Sequence, residues 1–174
     1  MDELILVDEL DKPIGKMDKQ RVHEQGLLHR AFSVFLFNGK GELLLQQRAA
    51  HKYHSAGLWS NTCCSHPRYG ETLDRAVPRR MEEEMGLRCD SKFVFSFVYR
   101  ADFDNGLTEH EFDHVFFAVS DALPQINTEE VGDYKYISMD SLERDIALHP
   151  DRYTAWFRIC LPRVREHFNR IFIN

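Results

Sequence analysis

Arg79-Arg80-Met81-Glu82-Glu83-Glu84 sets two bases and three acids in six residues, closed by Met85 and Gly86. On a helix, Arg80 and Glu84 share one row and Arg79 and Glu83 the next, because residues four apart are neighbours. An arginine beside a glutamate suits a diphosphate with a bridging Mg²⁺. The guanidinium contacts phosphate oxygen, and the carboxylate holds a hard cation that the phosphates complete. A solvated helix end is the alternative, although three acids near a helix C-terminus oppose the macrodipole. Glu109 and Glu111 are two residues apart, so on a strand both side chains leave the same face. Either they repel each other in solvent or a cation relieves the repulsion. The nine histidines are scattered, and spacing alone assembles no ligand set from them. Cys63 and Cys64 are either small buried hydrophobes or, in an electropositive and partly exposed setting such as Arg48 and Lys52 would supply, reactive thiols.

These side chains need elements to position them. Leu4 to Val7 reads as a strand, followed by a turn at Asp11-Lys12-Pro13-Ile14-Gly15. Asp18 to Gln25 reads as a short helix. His29 to Phe37 and Glu42 to Gln47 flank Asn38-Gly39-Lys40-Gly41 and read as a β-hairpin. Arg48 to Gly57 is a basic loop, and Trp59 to Cys64 a short strand. Thr72 to Met85 is a helix that Thr72 can cap and Gly86 stops, with Pro78 inside it predicting a kink or a late start. Phe93 to Asp102 and Glu111 to Val119 pair around Asp104-Asn105-Gly106; Tyr134 to Ile137 is a further strand. Ser141 to Leu148 and Tyr153 to Phe168 are helical. Paired strands with helices segregated around them predict an α+β layered domain.

Composition narrows the function. The length of 174 residues fits one domain, spanning residues 1–174, with a core of its own. A net charge of −6 supplies no cationic field for nucleic acid, so an anionic ligand needs a local basic cluster, which Arg48 to Lys52 provides. No apolar run approaches the roughly 18 residues of a membrane span, and the first residues are acidic where a signal peptide is basic. The expectation is a soluble, cytoplasmic protein with no membrane partner. Cys63, Cys64, Cys89 and Cys160 show no Cys-x-x-Cys spacing and read as free thiols.

The frame Glu71, seven residues, Arg79 to Leu87 resembles the Nudix box, with two departures: Ser65 stands where the box begins with glycine, and Arg80 where Nudix hydrolases carry a glutamate metal ligand. The resemblance implies a Nudix-like α/β/α layered domain with a mixed sheet, while the hydrolytic reaction lacks one ligand. With Cys64-Ser65-His66-Pro67, Tyr99-Arg100-Ala101 and Glu109-His110-Glu111, the altered box resembles the type I isopentenyl-diphosphate isomerases, from about Lys19 through Trp156. That family interconverts isopentenyl and dimethylallyl diphosphate. By this resemblance His23, His29, His66, Glu109 and Glu111 fall on metal-binding positions suited to Mn²⁺ or Zn²⁺. Glu84 holds the Mg²⁺ that arrives with the diphosphate, and Lys19, Arg48, Lys52 and Arg80 grip the diphosphate itself. The other six histidines, His51, His54, His110, His114, His149 and His167, match no family position.

The resemblance also selects Cys64 over Cys63 as the catalytic thiol. Isopentenyl diphosphate has no carbonyl to acidify its allylic hydrogen, so protonating the alkene to a tertiary carbocation and then removing a neighbouring proton is the practicable route, with a donor and an acceptor on opposite sides. Glu111 with Tyr99 supplies the proton and Cys64 removes one, with roles exchanged in reverse. Trp156 matches the tryptophan whose ring face favours the cation, a contribution of about 2 kcal/mol when desolvated; from spacing alone it is equally a core residue. Two alternatives stand beside this reading. One is a Nudix hydrolase of a nucleoside diphosphate derivative; the other is a diphosphate- or metal-binding module without turnover.

Overall fold

The computed structural model describes residues 2–173. In chain order the elements are β1 (Glu3–Val7), β2 (Pro13–Asp18), α1 (Lys19–Gln25), β3 (His29–Phe37), β4 (Leu43–Arg48), β5 (Trp59–Ser60), β6 (Cys63–Ser65), α2 (Leu73–Met85), β7 (Ser91–Asp102), β8 (Thr108–Val119), β9 (Val131–Ile137), α3 (Met139–Leu148) and α4 (Ala155–Phe168). The strands form one mixed sheet. β3 runs parallel to β8 and antiparallel to β1 and β6, β7 pairs antiparallel with β8, and β9 pairs with β4.

Strand alternation sorts the core onto two faces. Phe35, Phe37, Leu43, Leu45, Val115 and Phe117 pack against α3 and α4. Phe32, Val34, Leu36, Leu44 and Ala118 pack against Ala76, Val77, Met81 and Met85 of α2. Each fully buried Phe or Leu contributes roughly 1.5–3 kcal/mol, so register is set by both faces at once. This is the α/β/α layering expected. Along the α3/α4 face the apolar stripe turns polar at one end: His29 and Ser33 continue the β3 row, and Glu109, Glu111 and Asp113 the β8 row, all buried.

Four local expectations change. The predicted turn over residues 11–15 stops early, because Pro13 opens the edge strand β2, where its missing N–H costs nothing. The β3–β4 hairpin pairs at Phe37 and Leu43 alone. Residues 61–62 wedge it open: the Leu36 N–H donates to Thr62 Oγ1 (2.9 Å), the Thr62 hydroxyl donates to the Leu44 carbonyl (2.6 Å), and Asn61 Nδ2 donates to the Val34 carbonyl (3.0 Å). The same wedge splits the predicted Trp59–Cys64 strand into β5 and β6. In α2 the helix starts at Leu73 without delay, and Pro78 lies on its exposed side, where water can serve the carbonyl it leaves unbonded. Gly86 ends α2 at φ 64°, and a Cβ there would sit 2.5 Å from the Gln125 carbonyl oxygen. No helix among the described residues is long and apolar enough to cross a membrane.

Candidate active site

The polar end of the α3/α4 face receives side chains from five directions. Asp18 caps α1 by accepting from the Gln20 and Arg21 N–H groups, and the short helix turns His23 inward. Tyr53 Oη contacts His23 Nδ1 (3.3 Å), so Nε2 faces the centre. His29 donates its Nδ1–H to the Leu27 carbonyl (2.9 Å), which leaves the Nε2 lone pair inward in the neutral ring. His66 follows β6. Glu109 and Glu111 leave β8 on one face, as their spacing requires. One donor atom from each of these five residues lies within 4.8 Å of every other.

The cluster fits a cation. His23 Nε2 and Glu109 Oε2 lie 3.2 Å apart, and both are buried without a hydrogen-bond partner. Orphaned polar atoms this deep cost free energy unless something satisfies them. Three imidazoles and two carboxylates form a mixed nitrogen–oxygen set for a divalent metal, and His29 carries the outer-shell hydrogen bond that metal-ligating histidines make.

Electrostatics separate the two carboxylates. Burial raises the Glu109 pKa, but contacts with His23 and His54 outweigh it and hold the group well below the carboxylate range. Burial and the neighbouring Glu109 charge push Glu111 up to about 7. Tyr99, register partner of Glu111 across β7–β8, donates its hydroxyl to Glu111 Oε2 (2.7 Å). Burial and the surrounding carboxylates push that phenol far up.

Cys64 pairs with Ser33 of β3 and faces the same pocket, whereas alternation turns Cys63 toward α2. The thiol donates to Asn61 Oδ1 (2.8 Å) and accepts from Trp156 Nε1 (3.2 Å). Lys19, Arg48, Lys52 and Arg80 line the same pocket as the half-buried Cys64, yet burial, with Asp113 and Glu111 nearby, pushes the thiol up to about 12. It is a neutral thiol at rest. Arg48 lies 5.3 Å from the Trp156 ring centre, giving that tryptophan a cationic cover as well as an N–H for the sulfur.

The basic residues line the same pocket: Lys19 at the start of α1, Arg48 and Lys52 from β4 and its loop, and Arg80 from α2. Arg80 bonds Glu84 Oε1 (2.5 Å) and Glu83 (2.7 Å), and Arg79 bonds Glu83 (3.1 Å), the rows that helical spacing predicted. Glu84 Oε2 accepts from Gln46 Nε2 (2.8 Å). Arg48 Nε and Arg80 Nε are buried without an acceptor.

Every residue that the family resemblance assigned to the site lies in one pocket or in the histidine–glutamate cluster beside it, whereas Arg79, Glu82, Glu83 and Cys63 lie outside both. Sequence reasoning missed His54, which lines the pocket and reaches Glu109 Oε1 (3.2 Å), Asn61, and Glu130, which bonds Lys52 and lies 3.7 Å from Arg80. It also missed Asp113, whose Oδ2 accepts from Ser33 (2.7 Å). Asp113 extends the Glu109–Glu111 alternation by one step and was legible from it. The others are brought in by loops, and no spacing announces them.

The NUDIX-domain family matches residues 27–157. The protein DR0079 of Deinococcus radiodurans shares the fold with a TM-score of 0.71 at 23% identity, over 84% of this chain and 90% of that one. A MutT protein of Methanosarcina mazei does so at 0.64 and 21%, over 82% and 94%. Fold and site define a NUDIX-domain protein. Among its sequence relatives, the isopentenyl-diphosphate Delta-isomerase of Pectobacterium atrosepticum is 52% identical over 95% of this chain and 93% of its own. The isopentenyl-diphosphate Delta-isomerase 2 of Photorhabdus laumondii is 55% identical over 91% and 90%. The chain belongs to the isopentenyl-diphosphate Delta-isomerase family.

Proposed function

We propose that the chain interconverts isopentenyl and dimethylallyl diphosphate in the cytoplasm, as one domain acting on a small isoprenyl diphosphate and on neither nucleic acid nor membrane. The observation that carries the proposal is the convergence, in one pocket, of a protonated thiol, a carboxyl–phenol pair, a tryptophan and four cationic side chains. Lys19, Arg48, Lys52 and Arg80, which line the pocket together, hold the diphosphate. Glu84, fixed by Arg80 and Gln46, is the residue for Mg²⁺ on the diphosphate. His23, His29, His66, Glu109 and Glu111 would hold a second divalent ion, Mn²⁺ or Zn²⁺, which when bound supplies positive charge beside Glu111.

The alkene needs a proton on its terminal carbon and loses one from the carbon nearer the diphosphate. The order expected from the sequence gave the first step to Glu111 and Tyr99. Glu111 with Tyr99 on one side and the Cys64 thiol on the other are the two proton-transfer groups. The reverse reaction exchanges the roles. Between the two transfers the tertiary cation must meet no water. The Trp156 indole, 5% exposed, supplies a dry π face to it.

The test is one NMR time course with isopentenyl diphosphate and Mg²⁺ in D₂O. Dimethylallyl diphosphate bearing deuterium, without free phosphate, is the expected result. Phosphate release without isomerisation would favour a hydrolase, and an unchanged spectrum from metal-loaded protein a binding module.

A further inference from the structure

We infer that His54 is a positioning residue for the metal site, fixing which oxygen of Glu109 is presented to the ion. The inference rests on reading the three-histidine, two-glutamate cluster as that site. His54 is buried and comes from the loop between β4 and β5, not from a strand of the cluster. Its Nε2 lies 3.2 Å from Glu109 Oε1. An ionised carboxylate only accepts, so Nε2 carries the hydrogen, and Nδ1 is left to accept from the Ser55 hydroxyl at 3.4 Å. The ring is clamped in place. It stacks on Phe103 at 5.1 Å and 14°, and meets the Trp156 ring edge-on at 5.8 Å and 87°.

Glu109 is thereby divided. Oε1 is tied outward to His54, and Oε2 is left facing His23 Nε2 without a partner. Glu111 is divided in the same way: Oε2 accepts from Tyr99 (2.7 Å), and Oε1 faces His66 Nε2 (2.9 Å). Each carboxylate has one oxygen locked by a clamped outer donor and one aimed into the cluster. His54 is thus to Glu109 what Tyr99 is to Glu111, and it stands outside the five residues whose donor atoms converge. Holding a carboxylate in a monodentate pose removes a rotation that an ion would otherwise have to freeze. His54 also ties this pose to the anion-binding loop, because its carbonyl accepts from Arg48 Nη2 at 3.3 Å.

The experiment titrates Mn²⁺ into metal-stripped protein and reads free Mn²⁺ by its electron paramagnetic resonance signal, with far-UV circular dichroism confirming that each variant is folded. Loss of an outer-shell partner costs about 10–100-fold in metal affinity. His54→Ala and His54→Phe are expected to weaken binding by that factor, and His54→Gln, whose amide N–H can replace Nε2–H, to recover most of it. Wild-type affinity in His54→Ala would overturn the inference. So would wild-type affinity in His54→Phe beside a weakened His54→Ala, since ring packing would then account for the effect. A hyperfine coupling from a fourth histidine nitrogen in the wild type would make His54 a ligand and overturn the positioning role. Wild-type protein that binds no Mn²⁺ would remove the metal site itself, a failure distinct from the others.

Discussion

On one side of the pocket, Cys64 has its hydrogen-bonding roles filled by protein groups. Asn61 spends both amide hydrogens on the Val34 and Cys63 carbonyls (3.0 Å each), so its oxygen is left to take the Cys64 S–H. Trp156 Nε1–H covers the sulfur. On the other side, His23 Nε2 and Glu109 Oε2 face each other with neither satisfied. The chain completes the thiol side by itself, whereas the carboxylate side brings together two acids and three histidines that could hold a metal ion. A dry site needs both devices. A neutral thiol tolerates burial once hydrogen-bonded, but paired carboxylates do not without positive charge.

Four experiments break or sharpen that contrast. Cys64→Ala removes the one proton-transfer group of the thiol side and should lower kcat by up to about 10⁴-fold; Cys63→Ala, on the α2 side of the same strand, should leave most of the activity. Equal losses in the two variants would erase the distinction that strand alternation draws.

Glu111→Gln strikes the other side twice, as proton-transfer group and as ligand. A loss of about 10²–10⁴-fold in kcat should come with weaker Mn²⁺ binding, whereas Cys64→Ala should bind Mn²⁺ as the wild type does. Trp156→Ala forfeits a cation–π contribution of about 2 kcal/mol, roughly 30-fold in rate, most of which Trp156→Phe should retain. Indistinguishable rates for the two would return Trp156 to the core.

The smallest effect is a pH dependence confined to the carboxylate side. In the metal-free chain, burial and Glu109 hold Glu111 at about 7, so below that pH it is protonated and a metal must displace the proton. Apparent Mn²⁺ affinity should therefore fall as pH drops below 7, by about tenfold per unit for each proton displaced from Glu111 and from His29, which is also raised, with proton uptake by the buffer in calorimetry. A flat affinity between pH 5.5 and 7 would show that Glu111 is already ionised.

Much of this was written locally in the sequence. The row that joins Arg80 to Glu84 follows from 3.6 residues per turn, and the shared face of Glu109 and Glu111 from strand alternation. Gly86 marked a helix end because a left-handed cap is chemistry of adjacent residues, whereas Thr72, expected to cap α2, stands at its start without a side-chain capping bond. The selection of three histidines out of nine came from family resemblance, since no local rule links residue 23 to residue 111.

What only the tertiary structure decided lies in contacts between segments distant in the chain. Asn38 to Gly41 announced a hairpin, yet Thr62 bonds both of its strands and holds them apart, and that gap is where β6 and Cys64 enter. His54 reaches Glu109 across 55 positions, and Trp156 reaches Cys64 across 92. Helical and strand periods fix which way a side chain points relative to its own backbone. Which partner it meets, and whether water is there, is fixed by how the faces pack. Burial then sets the chemistry, pushing Cys64 to about 12 and Glu111 to about 7, because removing water penalises the charged form of each.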